Sequence, residues 1–250
     1  MTYAEDVGTP DTTARCIALV QEHRGHGVST AAYYLARALV AQRLRVLLVD
    51  LTGRGRQVLP YAPVKNLVFW APPLARPQDI APALERARLE TAGRCDVILL
   101  DIDAALLERV GGFALGIAYV AVVTEATVAG QQAAERVAER LGEHAPSYQR
   151  IGVIFSRVDA PTAEDLPEQT ERKQVSVLGY YPADYLLAGG DAYSLKGNEP
   201  AAPHDTYLYA LVRIAQRLIR LVPLHRLTTT TPVVADRVGA ARDAGDQSTL

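Results

Sequence analysis

The feature that most constrains this chain is a repeating alternation of short apolar runs and longer amphipathic stretches. RCIALVQ (15–21), LRVLLVD (44–50), NLVFW (66–70), CDVILLD (95–101), AYVAVVTE (118–125), RIGVIFSRVD (150–159) and VSVLGYYP (175–182) are short and rich in Val, Ile and Leu. Runs of that kind fit strands buried on both faces. Between the first two, STAAYYLARALVAQ (29–42) sets Ala32, Leu35, Ala36, Leu39 and Val40 at helical spacing. PQDIAPALERARLETAG (77–93) reads as a helix with Pro and Asp near its start. AALLERVGGFAL (104–115) and TVAGQQAAERVAERLGEH (127–144) are further helices, the latter capped by Thr127, and a final helix covers about 205–222. Strands alternating with helices of this length predict right-handed crossovers. The fold class is α/β, a mostly parallel twisted sheet with helices on both faces.

The pattern runs as a single domain over 15–226, between a loose polar lead-in at 1–14 and a flexible tail at 227–250. With 49% hydrophobic residues in 250, a sizeable core is available. The balance of 26 basic and 28 acidic residues argues against nucleic acid as an obligatory partner. Cys16 and Cys95 adjoin strand-like runs and read as buried thiols in a reducing compartment. No basic-then-apolar leader and no apolar run near the roughly 18 residues of a membrane span is visible, so a cytoplasmic protein is expected.

The stretch QEHRGHGVST (21–30) lies between a strand and a helix that opens on Ser29 and Thr30. A glycine loop in that place cradles phosphate, because backbone N–H groups and the positive end of the helix attract the anion. Gly25 and Gly27 supply the dihedral freedom and close approach, and a helix-opening hydroxyl can hold Mg²⁺.

Residues 17–50 resemble the opening of the ParA/MinD branch of P-loop NTPases, whose loop is usually K-G-G-x-G-K-[ST]-T, followed by a helix and a strand ending V-D-x-D. Laid on that pattern, His23 takes the first lysine, Arg24 and Gly25 the two glycines, Gly27 the third and Val28 the Walker lysine, while Ser29 and Thr30 match. The likeness extends through DLTG (50–53), where Thr52 replaces the second aspartate, and CDVILLD, where Asp101 resembles the Walker B acid. AYVAVVTEATVAG is similar to the family's next strand and helix, and VLGYYPAD (177–184) resembles its late L-G-x-I-P-x-D segment, so the likeness spans roughly 15–222.

The resemblance implies an ATP or ADP site with Mg²⁺. Arg24, Gly25, Gly27, Val28, Ser29 and Thr30 lie at the phosphates, Ser29, Asp50 and Asp101 around the metal, and Ser156 and Arg157 by the base. It also implies a homodimer with a further protein partner. The departures weaken the chemistry. Val28 cannot supply the charge that stabilises a transferring phosphoryl group, His23 is short and mostly neutral, and Thr52 lacks the carboxylate that would orient water. No catalytic residue is assigned. Arg24, Arg54 or Arg56 could replace part of the lost charge. GVST (27–30) resembles the loop of the CpaE/TadZ group, which implies a localisation protein with a degenerate site.

Other candidates carry blander readings. His23 and His26 read as a loop pair before a metal pair. Asp103 reads as the cap of the next helix, and Glu125 as an exposed loop acid. Arg157 either stacks on a base or faces solvent, and Tyr180, Tyr181 and Tyr185 read as packing before filling of an emptied site. The terminal helix carries Arg213, Arg217, Arg220 and Arg226 beside an apolar face. Core packing with a solvated arginine face is favoured there over contact with DNA or with the inner surface of the membrane.

Overall fold

The computed structural model describes residues 14–22, 27–52, 64–72, 77–110, 116–142, 151–158, 176–182 and 205–222. The expected lead-in and tail, the loop residues His23, Arg24, Gly25 and His26, and Arg54, Arg56, Tyr185 and Arg226 lie outside the described residues.

The described strands are β1 (Arg15–Gln21), β2 (Val46–Asp50), β3 (Leu67–Trp70), β4 (Val97–Asp103), β5 (Ile117–Glu125), β6 (Ile151–Ser156) and β7 (Ser176–Tyr181). The helices are α1 (Val28–Ala41), α2 (Ile80–Thr91) after a 3₁₀ turn at Pro77–Asp79, α3 (Ala104–Arg109), α4 (Val128–Gly142) and α5 (Asp205–Leu221). The strands form one sheet in the order β3-β2-β4-β1-β5-β6-β7. Every pairing in it is parallel, as the alternation of strands and helices predicted.

The alternation of side chains along each strand divides the core in two. Ile17, Leu19, Val46, Leu48, Val97 and Leu99 belong to the layer covered by α1 and α5. Cys16, Ala18, Val20, Leu47, Ile98 and Leu100 belong to the layer with residues of α2, α3 and α4. Because both faces are covered, the apolar runs are continuous, and β1, β2 and β6 are buried almost throughout. Both cysteines are buried and unbridged.

Local sequence sets the helix ends. α1 opens on Gly27 at φ 75°, ψ 22°, and stops where Arg43 turns left-handed at φ 65°. Thr127 caps α4 as expected, its Oγ1 accepting the Gly130 N–H at 3.0 Å. Asp103 precedes α3 in extended conformation, but its side chain makes no capping bond. The expectation of a side-chain cap there is corrected: Asp103 Oδ1 accepts instead from Gln21 Nε2 on the neighbouring strand, at a long 3.4 Å. At the opposite end of the sheet, Arg45 grips Asp96 through NH2–Oδ1 at 2.9 Å and Nε–Oδ2 at 3.2 Å. The Arg45 backbone N–H also donates to Asp96 Oδ2 at 2.7 Å.

Candidate functional site

β1 lies at the switch point of the sheet, with β4 on one side and β5 on the other. In open parallel sheets, ligands bind beyond the carboxyl ends of the strands at such a point. α1 starts there. The position before it, Gly27, is exposed and has no side chain with which to cap the helix, and the first turn holds no acidic residue. The positive end of the α1 dipole therefore meets no acidic residue within the helix's own first turn.

Strand parity brings a set of polar residues to this same end and to the α1 face. Asp50 shares parity with Val46 and Leu48, and Asp101 with Val97 and Leu99. The two aspartates are register partners on adjacent strands, 2% and 3% exposed. Buried carboxylates so close to each other are costly unless hydrogen bonds or a cation compensate them. Asp50 Oδ1 accepts from the Thr52 N–H at 2.8 Å and the Thr52 hydroxyl at 2.6 Å. Thr52 is thus a neutral donor to Asp50, where a second aspartate would have repelled it. Gln21, also buried, ends β1 on this face.

The loop residues divide sharply. Ser29 and Thr30 are half-buried at the helix opening, whereas Val28 is 1% exposed and belongs to the α1–α5 core. Position 28 therefore serves packing, with no charge directed at the site. Ser156 is fully buried, and its Oγ donates to the Thr124 carbonyl at 3.1 Å. Arg157, left-handed at φ 57°, pairs with Glu125 at 2.7 Å. The reading of Glu125 as an exposed loop acid is corrected: it ends β5, is partly buried and pairs with the half-exposed Arg157, an arrangement in neither of the two readings of that arginine.

Sequence reasoning missed Glu22, the last described residue before the loop. Arg136 NH2 reaches Glu22 Oε2 at 2.9 Å and Arg140 NH1 reaches Oε1 at 3.3 Å. Arg140 Nε continues to Glu108 Oε1 on α3 at 2.7 Å. Burial alone would raise the Glu22 carboxyl, but the two guanidiniums outweigh it and hold it below the usual glutamate range. The available signal was the arginine pair four residues apart on α4. Among the described residues, no group of three or more His, Cys, Asp or Glu gathers as a metal cluster, and no helix is long and apolar enough to cross a membrane.

The sequence matches no protein-family model and no curated protein. Its structure is similar to that of the MinC:MinD cell division protein complex of Aquifex aeolicus, with a TM-score of 0.62 at 18% identity over 83% of this chain and 96% of that one. A ParA family ATPase from Chlorobium tepidum TLS gives 0.60 at 17% identity, covering 81% of this chain and 98% of its own. A plasmid partition protein from Borrelia burgdorferi B31, bound to AMPPNP, gives 0.60 at 17% identity over 83% and 99%. The chain has the parallel α/β fold of the MinD and ParA ATPases, which is a P-loop NTPase fold.

Proposed function

We propose that this chain is a ParA/MinD-like protein that binds ATP or ADP with Mg²⁺ in a degenerate loop and hydrolyses it slowly or not at all. It acts as a dimerising positioning or scaffold factor for a protein partner, in the manner of the CpaE/TadZ group. The observation that carries the reading is Val28, packed into the core at the position of the Walker lysine. Without that ammonium the site keeps an anion cradle but loses the charge that stabilises phosphoryl transfer.

What remains fits a Mg-nucleotide. The uncapped opening of α1 with Gly27, Ser29 and Thr30 offers donors to phosphate, and Ser29, Asp50 and Asp101 form a hard oxygen set suited to Mg²⁺. When bound, Mg²⁺ neutralises phosphate charge. Thr52 keeps Asp50 oriented through its hydrogen bonds.

Calorimetric titration with ATP and ADP, with and without Mg²⁺, tests this, alongside phosphate release and light scattering for dimerisation. Mg²⁺-dependent binding lost in Ser29→Ala, with negligible turnover, is the expected result. Rapid turnover abolished by Asp101→Ala would establish instead a switch ATPase using arginine in place of lysine. No binding at millimolar nucleotide, with a dimer present regardless, would establish a pure interaction module.

A further inference from the structure

Tyr181 ends β7 and is 4% exposed, and its hydroxyl oxygen is buried without a hydrogen-bond partner among the described residues. A buried hydroxyl left unpaired is unfavourable, and phenylalanine would pack as well without that cost. The ring is fixed by edge-to-face contacts: Tyr181 meets Tyr207 of α5 at 5.2 Å, and Tyr207 meets Tyr34 of α1 at 5.8 Å. This ladder aims the hydroxyl at the opening of α1. A Cβ built on Gly27 would lie 3.9 Å from Tyr181 Oη and would meet no other described atom within 4 Å.

Two independent features therefore converge on one space: a helix opening on an exposed glycine with no acidic residue in its first turn, and a hydroxyl held by its ring contacts without a hydrogen-bond partner among the described residues. Burial pushes the hydroxyl far above the ordinary tyrosine range, with the Ser156 hydroxyl and the Arg157 charge acting more weakly in the opposite direction. Ser156 Oγ lies nearby but gives its proton to the Thr124 carbonyl, and the Tyr181 hydroxyl makes no hydrogen bond of ordinary geometry among the described residues. A neutral phenol is a donor, so the missing partner is an acceptor, and beside helix N–H groups the fitting acceptor is an anionic oxygen.

We infer that Tyr181 Oη donates a hydrogen bond to a phosphate oxygen of the nucleotide seated at Gly27, supplying from β7 part of the anchoring that Val28 does not give. The inference rests on the nucleotide-binding reading above and adds a binding residue to it. Because the donor is neutral, its contribution is constant between about pH 6 and 9, unlike that of a histidine.

The test compares wild-type protein with Tyr181→Phe in two measurements. These are thermal unfolding without ligand and calorimetric Kd for ATP, ADP and inorganic pyrophosphate with Mg²⁺. The expected result is a ligand-free melting temperature unchanged or raised, with Kd weakened about tenfold or more for all three ligands. Unchanged Kd in the variant overturns the inference. A lowered melting temperature with unchanged Kd overturns it too, by making the hydroxyl a structural bond within the fold. Weakened ATP binding with unaltered pyrophosphate binding overturns the phosphate contact in favour of sugar or base. If the wild-type protein binds none of the three, the nucleotide-binding reading fails first and this inference with it.

Discussion

Replacing Gly27 by alanine separates the conformational role of this residue from its role in the site. Gly27 holds φ 75° and ψ 22°, a left-handed conformation that costs an L-residue about 1–2 kcal/mol. Alanine also narrows the unfolded ensemble, which returns roughly 0.4–1 kcal/mol. Among the described residues sterics add nothing, since the new Cβ would lie 3.9 Å from Tyr181 Oη, an ordinary contact. The net loss is then on the order of 1 kcal/mol, or a few degrees in melting temperature for a domain of this size. Gly130→Ala is the internal contrast. Its Cβ would run into the Glu125 carbonyl oxygen and lie 2.7 Å from Thr124 Oγ1, so backbone must move. Overpacking of that kind costs about 1–3 kcal/mol or more. Urea unfolding of both variants, followed by circular dichroism, should rank Gly130→Ala as clearly the more damaging. In Gly27→Ala the same Cβ intrudes on the space before the α1 opening, so phosphate binding should fall at least tenfold for a stability loss of only about 1 kcal/mol. A stability loss for Gly27→Ala equal to that of Gly130→Ala would refute the open space at Gly27. Retained nucleotide affinity would refute its use as the cradle.

Asp96→Ala should cost about 3–5 kcal/mol in urea unfolding, because it strips a mostly buried Arg45 of its bidentate partner and orphans the Arg45 N–H, and Asp96→Asn should cost less. The Glu22 carboxyl lies below its ordinary value of 4.5, so its contribution is complete above that pH and is lost as pH falls through the depressed value. Glu22→Gln should therefore flatten the acid limb of the stability–pH curve without changing its alkaline side, as read by thermal unfolding across pH. Burial raises both Cys16 and Cys95 to about 11, so neither should react with a thiol reagent near neutral pH until the protein is unfolded, which labelling and mass measurement would show.

The central strands were legible because their apolar runs are buried on both faces, which leaves a continuous hydrophobic signature, whereas the edge strands β3 and β7 are only partly covered. α1 and α4 were legible by period, and Thr127 by its hydroxyl at the helix start. What sequence could not give was which polar residues share a face. The parity that sets Asp50, Asp101, Ser156 and Tyr181 around one helix opening depends on strand order, and β1 pairs with β4 and β5, not β2. Asp103 looked like a cap because aspartate before a helix usually is one, but it faces Gln21 on the neighbouring strand instead. Tyr181 read as packing because its ring does pack, and only its hydroxyl betrays a second role. Glu22 was invisible because its partners lie more than a hundred residues away on α4.

Position 28 decides whether the loss of the lysine is a local deletion or a rebuilt site. Val28 is 1% exposed and shares the α1–α5 core with Tyr34, Tyr181, Tyr207 and Leu211. If only the lysine were missing, Val28→Lys would restore charge to an otherwise intact cradle and raise ATP turnover. If the core has closed around valine, lysine must bury its stem, and with it the ammonium, among the apolar side chains of that cluster. A buried unpaired ammonium is strongly disfavoured and sheds its proton, so it brings strain without charge. The expected outcome is a loss of roughly 2–4 kcal/mol in unfolding stability and no gain in phosphate release, because His23 and Thr52 remain altered. Adding Thr52→Asp should not rescue that stability, since Thr52 is hydrogen-bonded to Asp50 and is not among the residues of the core around position 28. Wild-type stability together with turnover in Val28→Lys would refute the rebuilt core and make this chain an ATPase one substitution away from activity.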